Sequence, residues 1–249
     1  MILSFDPTTV LLLGGILFFG QFIYAAIGFG AALFSVTLMS LVFGEVAFFV
    51  PLFLLLCLPL EVTVTWKDRK HVQFGRSWRI LLVSLPFMIL GAFFLARASD
   101  SWLQIGMGVL VIATSIYYLI DNRVFPILNR WWVECLVGAT SGVLGSMYGM
   151  SGPPMVLYFK SLNLGKREFR VGLTSLFLAM GMMRGLIYLT MGLITRTVGL
   201  WFIVLLPFVL AGLFVGNIAH TKLSENLFKR LTSVVLMFSG ALLILQNLN

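Results

Sequence analysis

The residue whose placement most invites chemistry is Arg184. It stands in Gly181-Met182-Met183-Arg184-Gly185-Leu186, well inside an apolar stretch, where a guanidinium requires a partner. Its planar fork of donors suits an oxyanion such as sulfite, a sulfonate or a carboxylate. The competing assignments are a structural ion pair with Glu61 and snorkelling toward the membrane surface. Glu61 itself precedes Lys67 by six residues and is a candidate coupling carboxylate as well as a candidate ion-pair partner.

Two glycine-rich breaks carry the second chemical signal, Gly28-Phe29-Gly30 and Gly149-Met150-Ser151-Gly152-Pro153-Pro154. A helix that restarts after such a break begins with N–H groups lacking partners and with the positive end of its dipole, a setting for an anion. Glycine lets the backbone turn sharply and approach a ligand, and proline suits the first helical turn. Ser151 adds a hydroxyl that can cap the helix or bond a ligand. Gln21, Tyr24 and Tyr148 lie within two turns before the breaks, and Gln21 and Tyr24 share a helix face. Together with Arg184 these residues form the expected anion site. Close helix packing would explain any one of the glycines; two breaks at matching positions favour the binding role. The Gly-x-Gly at 28–30 is no dinucleotide fingerprint, because no strand precedes it.

The elements that must position these groups are membrane helices. The 249 residues are 60% apolar and only 10% charged, with a mean hydropathy of +1.04, whereas soluble domains carry about 25% charged residues. Apolar runs reach the roughly 20 residues a helix needs to cross hydrocarbon, and the alternation of a barrel strand is missing. Full spans are expected at 45–66, 79–97, 102–120, 170–191, 199–219 and 231–247. The runs 10–43 and 132–159 hold the breaks at their middles and read as helix, break and short helix, in the form of a re-entrant hairpin or a pair of short crossings. Before Lys67 there is no Lys or Arg, so the opening run lacks the basic segment of a secretory signal and is expected to remain as structure. Cys57 and Cys135 lie in apolar segments without metal-type spacing and are read as packing residues.

The +8 net charge is topological. With each hairpin entering and leaving on one side, Lys67, Arg69, Lys70, Arg76, Arg79, Arg123, Arg130, Lys160, Lys166, Arg167, Arg170, Lys222, Lys229 and Arg230 share the cytoplasmic side, against Arg97 and Arg196 outside. Both termini then face away from the cytoplasm. Leu85-Pro86-Phe87-Met88-Ile89-Leu90-Gly91 recurs as Leu206-Pro207-Phe208-Val209-Leu210-Ala211-Gly212 at an offset of 121, which also carries Gly28 onto Gly149 and Gly44 onto Gly165. The expected organisation is therefore two inverted repeats, 1–122 and 123–249, each a broken helical hairpin followed by three full spans.

The break at Ala25-Ala26-Ile27-Gly28-Phe29-Gly30-Ala31-Ala32 and the break at Gly149-Met150-Ser151-Gly152-Pro153-Pro154, each opening a duplicated half, resemble the sulfite exporter TauE/SafE family of membrane permeases. The likeness covers essentially the whole chain. It implies an inner-membrane carrier of sulfur-containing oxyanions, sulfite or organosulfonates such as sulfoacetate, usually working outward. No nucleotide loop of the Walker type occurs, so ion or substrate gradients are the expected energy source. An anion channel is the nearest rival, distinguished by the absence of saturable exchange. An intramembrane enzyme is disfavoured, since Ser151 has no nearby base in the sequence and the spans hold no histidine or carboxylate cluster. No metal, cofactor or nucleic-acid partner is expected; the partners are a small anion and lipid, and the apolar outer faces are compatible with a homodimer.

Overall fold

The computed structural model describes residues 5–27, 30–67, 74–120, 130–162, 164–219 and 225–248. They form α1 (Pro7–Ile27), α2 (Ala31–Phe43), α3 (Val46–Lys67), α4 (Phe74–Arg97), α5 (Asp100–Ile120), α6 (Trp131–Tyr148), α7 (Gly152–Ser161), α8 (Lys166–Thr190), α9 (Arg196–Ala219) and α10 (Glu225–Leu248). The described residues contain no strand. The six uninterrupted runs appear as helices α3, α4, α5, α8, α9 and α10, and the two interrupted runs as α1–α2 and α6–α7; of the six, α3, α4, α8 and α9 are long and apolar enough over their described residues to cross a membrane. His71 and His220 lie outside the described residues.

Among the described residues, five helices are long and apolar enough to cross a membrane: Pro7–Ala25, Val46–Thr63, Trp78–Arg97, Glu168–Thr190 and Arg196–Ile218. Large apolar side chains such as Leu11, Phe19, Ile203, Phe214 and Phe238 point outward, each more than half exposed. Hydrocarbon accommodates such faces where water would not. The chain is a multi-pass membrane protein.

Each hairpin pairs a long helix with a shorter one that folds back on it. At 1.5 Å per residue α1 is about 31 Å long and α2 about 20 Å; α6 is about 27 Å and α7 about 15 Å. Asp6 opens α1 by accepting the Thr9 N–H at 3.0 Å, the work of an N-cap. In the first hairpin Ser35 Oγ donates to the Ile16 carbonyl at 3.4 Å, and a Cβ on Gly20 would collide with Ser35. In the second, Ser151 lies against Gly145, and Tyr158 Oη donates to Glu134 Oε1 at 2.9 Å. In both hairpins residues later in the returning helix meet residues earlier in the first, so the two arms run antiparallel.

The helices cluster into two compact units. The first, residues 1–56, 99–121 and 195–249, packs α1 along α9 and α5 along α10, with α2 against α5 and α10. The second, residues 57–98 and 122–194, packs α4 along α6 and α8, with α7 against α6 and α8. Each unit draws helices from both halves of the sequence.

Two contacts explain motifs that recur along the chain. The closing glycine of each Leu-Pro-Phe motif abuts a helix backbone. A Cβ on Gly91 of α4 would strike the Val143 carbonyl of α6, and one on Gly212 of α9 the Phe18 carbonyl of α1. In the first unit α5 and α10 meet reciprocally. A Cβ on Gly108 would sit 2.7 Å from the Gly240 carbonyl and 2.8 Å from Ile244, while a Cβ on Gly240 would sit 2.9 Å from the Gly108 carbonyl and 3.0 Å from Ile112. The contact is mutual, and small residues let the backbones approach this closely.

Candidate functional site

The second break is built from the end of α6, the start of α7 and one face of α8, all in the second unit. Gly149 closes α6 with φ +73°, a backbone conformation that favours glycine. Its N–H returns to the Gly145 carbonyl at 2.9 Å, and the Met150 N–H reaches the Leu144 carbonyl at 3.2 Å. Ser151 then precedes α7, and Pro153 and Pro154 occupy its first turn. Tyr148, Met150, Ser151 and Pro153 are all buried.

Arg184 reaches this break from α8. It is only 6% exposed, and its Nη1 donates to the Gly145 carbonyl. One turn further on, Tyr188 Oη donates to the Ser146 carbonyl at 2.6 Å. Arg184 and Tyr188 thus clip two consecutive carbonyls at the negative end of the α6 dipole, where a cation is favoured. A Cβ added to Gly145 would meet Ser151 Cβ at 3.0 Å and Arg184 Nη1 at 3.4 Å. The glycine is what allows the serine and the guanidinium to share this corner.

Glu61 interacts electrostatically with Arg184, while the guanidinium spends its Nη1 on the α6 carbonyl of Gly145. Among the described residues Arg184 Nε is buried without a hydrogen-bond partner, as are Ser146 Oγ, Glu61 Oε2 and Thr65 Oγ1. A buried guanidinium donor left unmatched is expensive. The two prolines also refine the expectation of free N–H groups at α7. They remove two of the first-turn donors, leaving the Gly152 N–H and the Ser151 hydroxyl beside the dipole, so the positive charge comes chiefly from Arg184.

The first break lies in the other unit. Gly30, at φ +95°, precedes α2, while Gly28 and Phe29 lie outside the described residues. Gln21 is 1% exposed and Tyr24 half-buried on α1; both are engaged in interactions. Gly44 closes α2 with φ +85°, whereas Gly165, its counterpart by the 121-residue offset, opens α8 in extended conformation. Both stand just before the helix that follows a hairpin.

Sequence reasoning passed over two groups. Tyr188 is four residues from Arg184 and therefore on its face of α8, a signal that was available. Glu134, a carboxylate near the start of α6, is 6% exposed and joins three helices: it accepts Tyr158 of α7, and its Oε2 lies 3.5 Å from Arg79 Nη1 of α4. Tyr158 can be paired with it only once α7 is known to fold back.

Broken hairpins and a buried arginine at a helix break, in an all-helical, multi-pass protein, are features compatible with a membrane transporter. The sulfite exporter TauE/SafE family matches residues 12–243. The chain belongs to that family, which makes it a transmembrane permease of the sulfite-exporter class. Comparison with curated proteins and with solved structures returned no match.

Proposed function

We propose that this protein carries sulfite or a small organosulfonate such as sulfoacetate out of the cell across the inner membrane, as a secondary transporter working by alternating access, and that it is not an enzyme. The observation that carries the reading is Arg184, 94% buried by its 6% exposure, with a buried unpartnered Nε at the mouth of α7. The bound anion takes the guanidinium fork, the Ser151 hydroxyl and the Gly152 N–H, with Tyr148, Gly149, Met150 and Pro153 shaping the backbone around it. Gln21, Tyr24, Gly28, Phe29 and Gly30 form the corresponding element of the first repeat. Glu61, with its unpartnered Oε2, is the candidate coupling carboxylate.

The division into inverted repeats at 1–122 and 123–249 is part of the same proposal. It is supported by the matched roles of Gly91 and Gly212 and by the reciprocal Gly108–Gly240 contact. The basic collar supports placing both termini on the non-cytoplasmic side.

Flux of labelled sulfite into liposomes tests the reading. Arg184→Ala is expected to abolish saturable exchange, and Arg184→Lys to restore little of it, because an ammonium keeps the charge but loses the fork. Unchanged flux in Arg184→Ala would remove this residue from the site.

A further inference from the structure

A second feature of the second unit lies away from the break. Helices α4 and α6 run parallel and touch along small residues: a Cβ on Gly138 would sit 2.6 Å from the Ile80 carbonyl, and one on Gly142 2.6 Å from the Ser84 carbonyl. Beside this seam lies an open furrow of about 430 Å³, lined by Val83 and Phe87 of α4 and by Trp131, Trp132, Cys135, Leu136 and Ala139 of α6. Its shape follows from side-chain size. Cys135 and Ala139, one turn apart, form a low floor, and Phe87, Trp132 and Leu136 stand up as walls.

The mouth of the furrow has a different chemistry. Both helices begin at this end, since Arg79 near the start of α4 lies 3.5 Å from Glu134 near the start of α6. Arg79 is 51% exposed and stacks over Trp78 at 5.6 Å. Arg130, directly before α6, is exposed. Trp131 is 67% exposed and Trp132 42%. Exposed tryptophans beside arginines are what a headgroup layer selects. The α6 dipole adds partial positive charge at the same point.

We propose that the furrow between α4 and α6 is a binding site for an anionic glycerophospholipid, its phosphate held by Arg130 and Arg79 and one acyl chain laid over Ala139 and Cys135. The apolar walls would accept any acyl chain. Arg79 already shares its charge with Glu134, so Arg130 supplies the larger part of the discrimination, roughly fivefold in affinity for an arginine near the membrane surface. Because the site stands apart from Arg184 and Ser151, it holds or fails independently of the transport reading.

Native mass spectrometry of the full chain, purified in detergent and offered phosphatidylglycerol and phosphatidylcholine in equal amounts, reads the preference directly. The expected result is one retained phosphatidylglycerol in clear excess over phosphatidylcholine. Arg130→Ala should lower that preference about fivefold, and Ala139→Trp, which fills the floor, should abolish retention. Equal retention of the two lipids, or a preference that neither substitution moves, overturns the proposal. So does a dimer that Ala139→Trp dissolves without loss of lipid, because the furrow would then be covered by a second copy. Brominated lipids give a reading that does not depend on the Ala139 variant folding. In mixed vesicles, brominated phosphatidylglycerol should quench tryptophan emission more than brominated phosphatidylcholine, and Trp131→Phe/Trp132→Phe should erase the excess. Equal quenching by the two lipids contradicts the site.

Discussion

Replacing Gly145 by alanine probes the candidate site without removing any of its functional groups. The added Cβ would lie 3.0 Å from Ser151 Cβ and 3.4 Å from Arg184 Nη1, where carbon atoms settle at about 3.5–4.0 Å. Ser151 must therefore move by about 0.5–1 Å, or the guanidinium must leave the Gly145 carbonyl. Overpacking of this kind costs about 1–3 kcal/mol, offset by about 1 kcal/mol from the better helix propensity of alanine. The fold should survive with a net loss of about 0–2 kcal/mol. The site should not, since a misplacement near 1 Å can cost about 100-fold where geometry is decisive. We expect sulfite exchange in liposomes to fall at least tenfold, with the thermal midpoint lowered by only a few degrees. Gly185→Ala is the matched control: on the same helix as Arg184, its Cβ would meet nothing within 4 Å, so flux should be unchanged. Wild-type flux and substrate affinity in Gly145→Ala, with the protein demonstrably folded, would refute the placement of Ser151 and Arg184 at the anion.

Other perturbations separate the site from its scaffold. Tyr188→Phe deletes the 2.6 Å bond to the Ser146 carbonyl and should lower stability by about 1 kcal/mol, with a smaller loss of flux than Arg184→Ala, as read by a melt and an exchange assay on the same preparation. Gln104→Ala opens the clasp in which Gln104 donates to the Gly44 carbonyl at 2.6 Å and accepts Asn247 Nδ2 at 2.7 Å; a melt should show a loss of about 2 kcal/mol with transport affinity retained. Gly108→Ala and Gly240→Ala push into the same reciprocal contact from opposite sides and should destabilise by similar amounts, about 1–3 kcal/mol each. Markedly different melting losses would deny that the two glycines share one reciprocal contact.

What could be read from the residues follows the physics of each feature. Helices in lipid must satisfy their own backbone, so run length and glycine placement revealed the spans and the two hairpins. Arg184 was legible because charge is scarce: 10% of residues carry it, and the other basic ones stand in loops or near helix ends. Its bonding partner was not legible, since a backbone carbonyl at a helix end leaves no mark in composition; a carboxylate such as Glu61 is the only partner a sequence can offer. Glu134 and Tyr158 were missed for a related reason, because their pairing depends on how α7 returns along α6. The interleaving of the two halves in each compact unit was hidden too. Hydropathy shows which faces are apolar but not whether α4 meets α6 or another helix with an equally apolar face.

The most direct test of the central claim is a structure of the full chain determined with sulfite present. The account predicts an anion bonded to the Arg184 guanidinium and to Ser151 at the start of α7, with Nε of Arg184 no longer unpartnered. Sulfite bound elsewhere, with Arg184 still seated on the Gly145 carbonyl and nothing at its Nε, would contradict it.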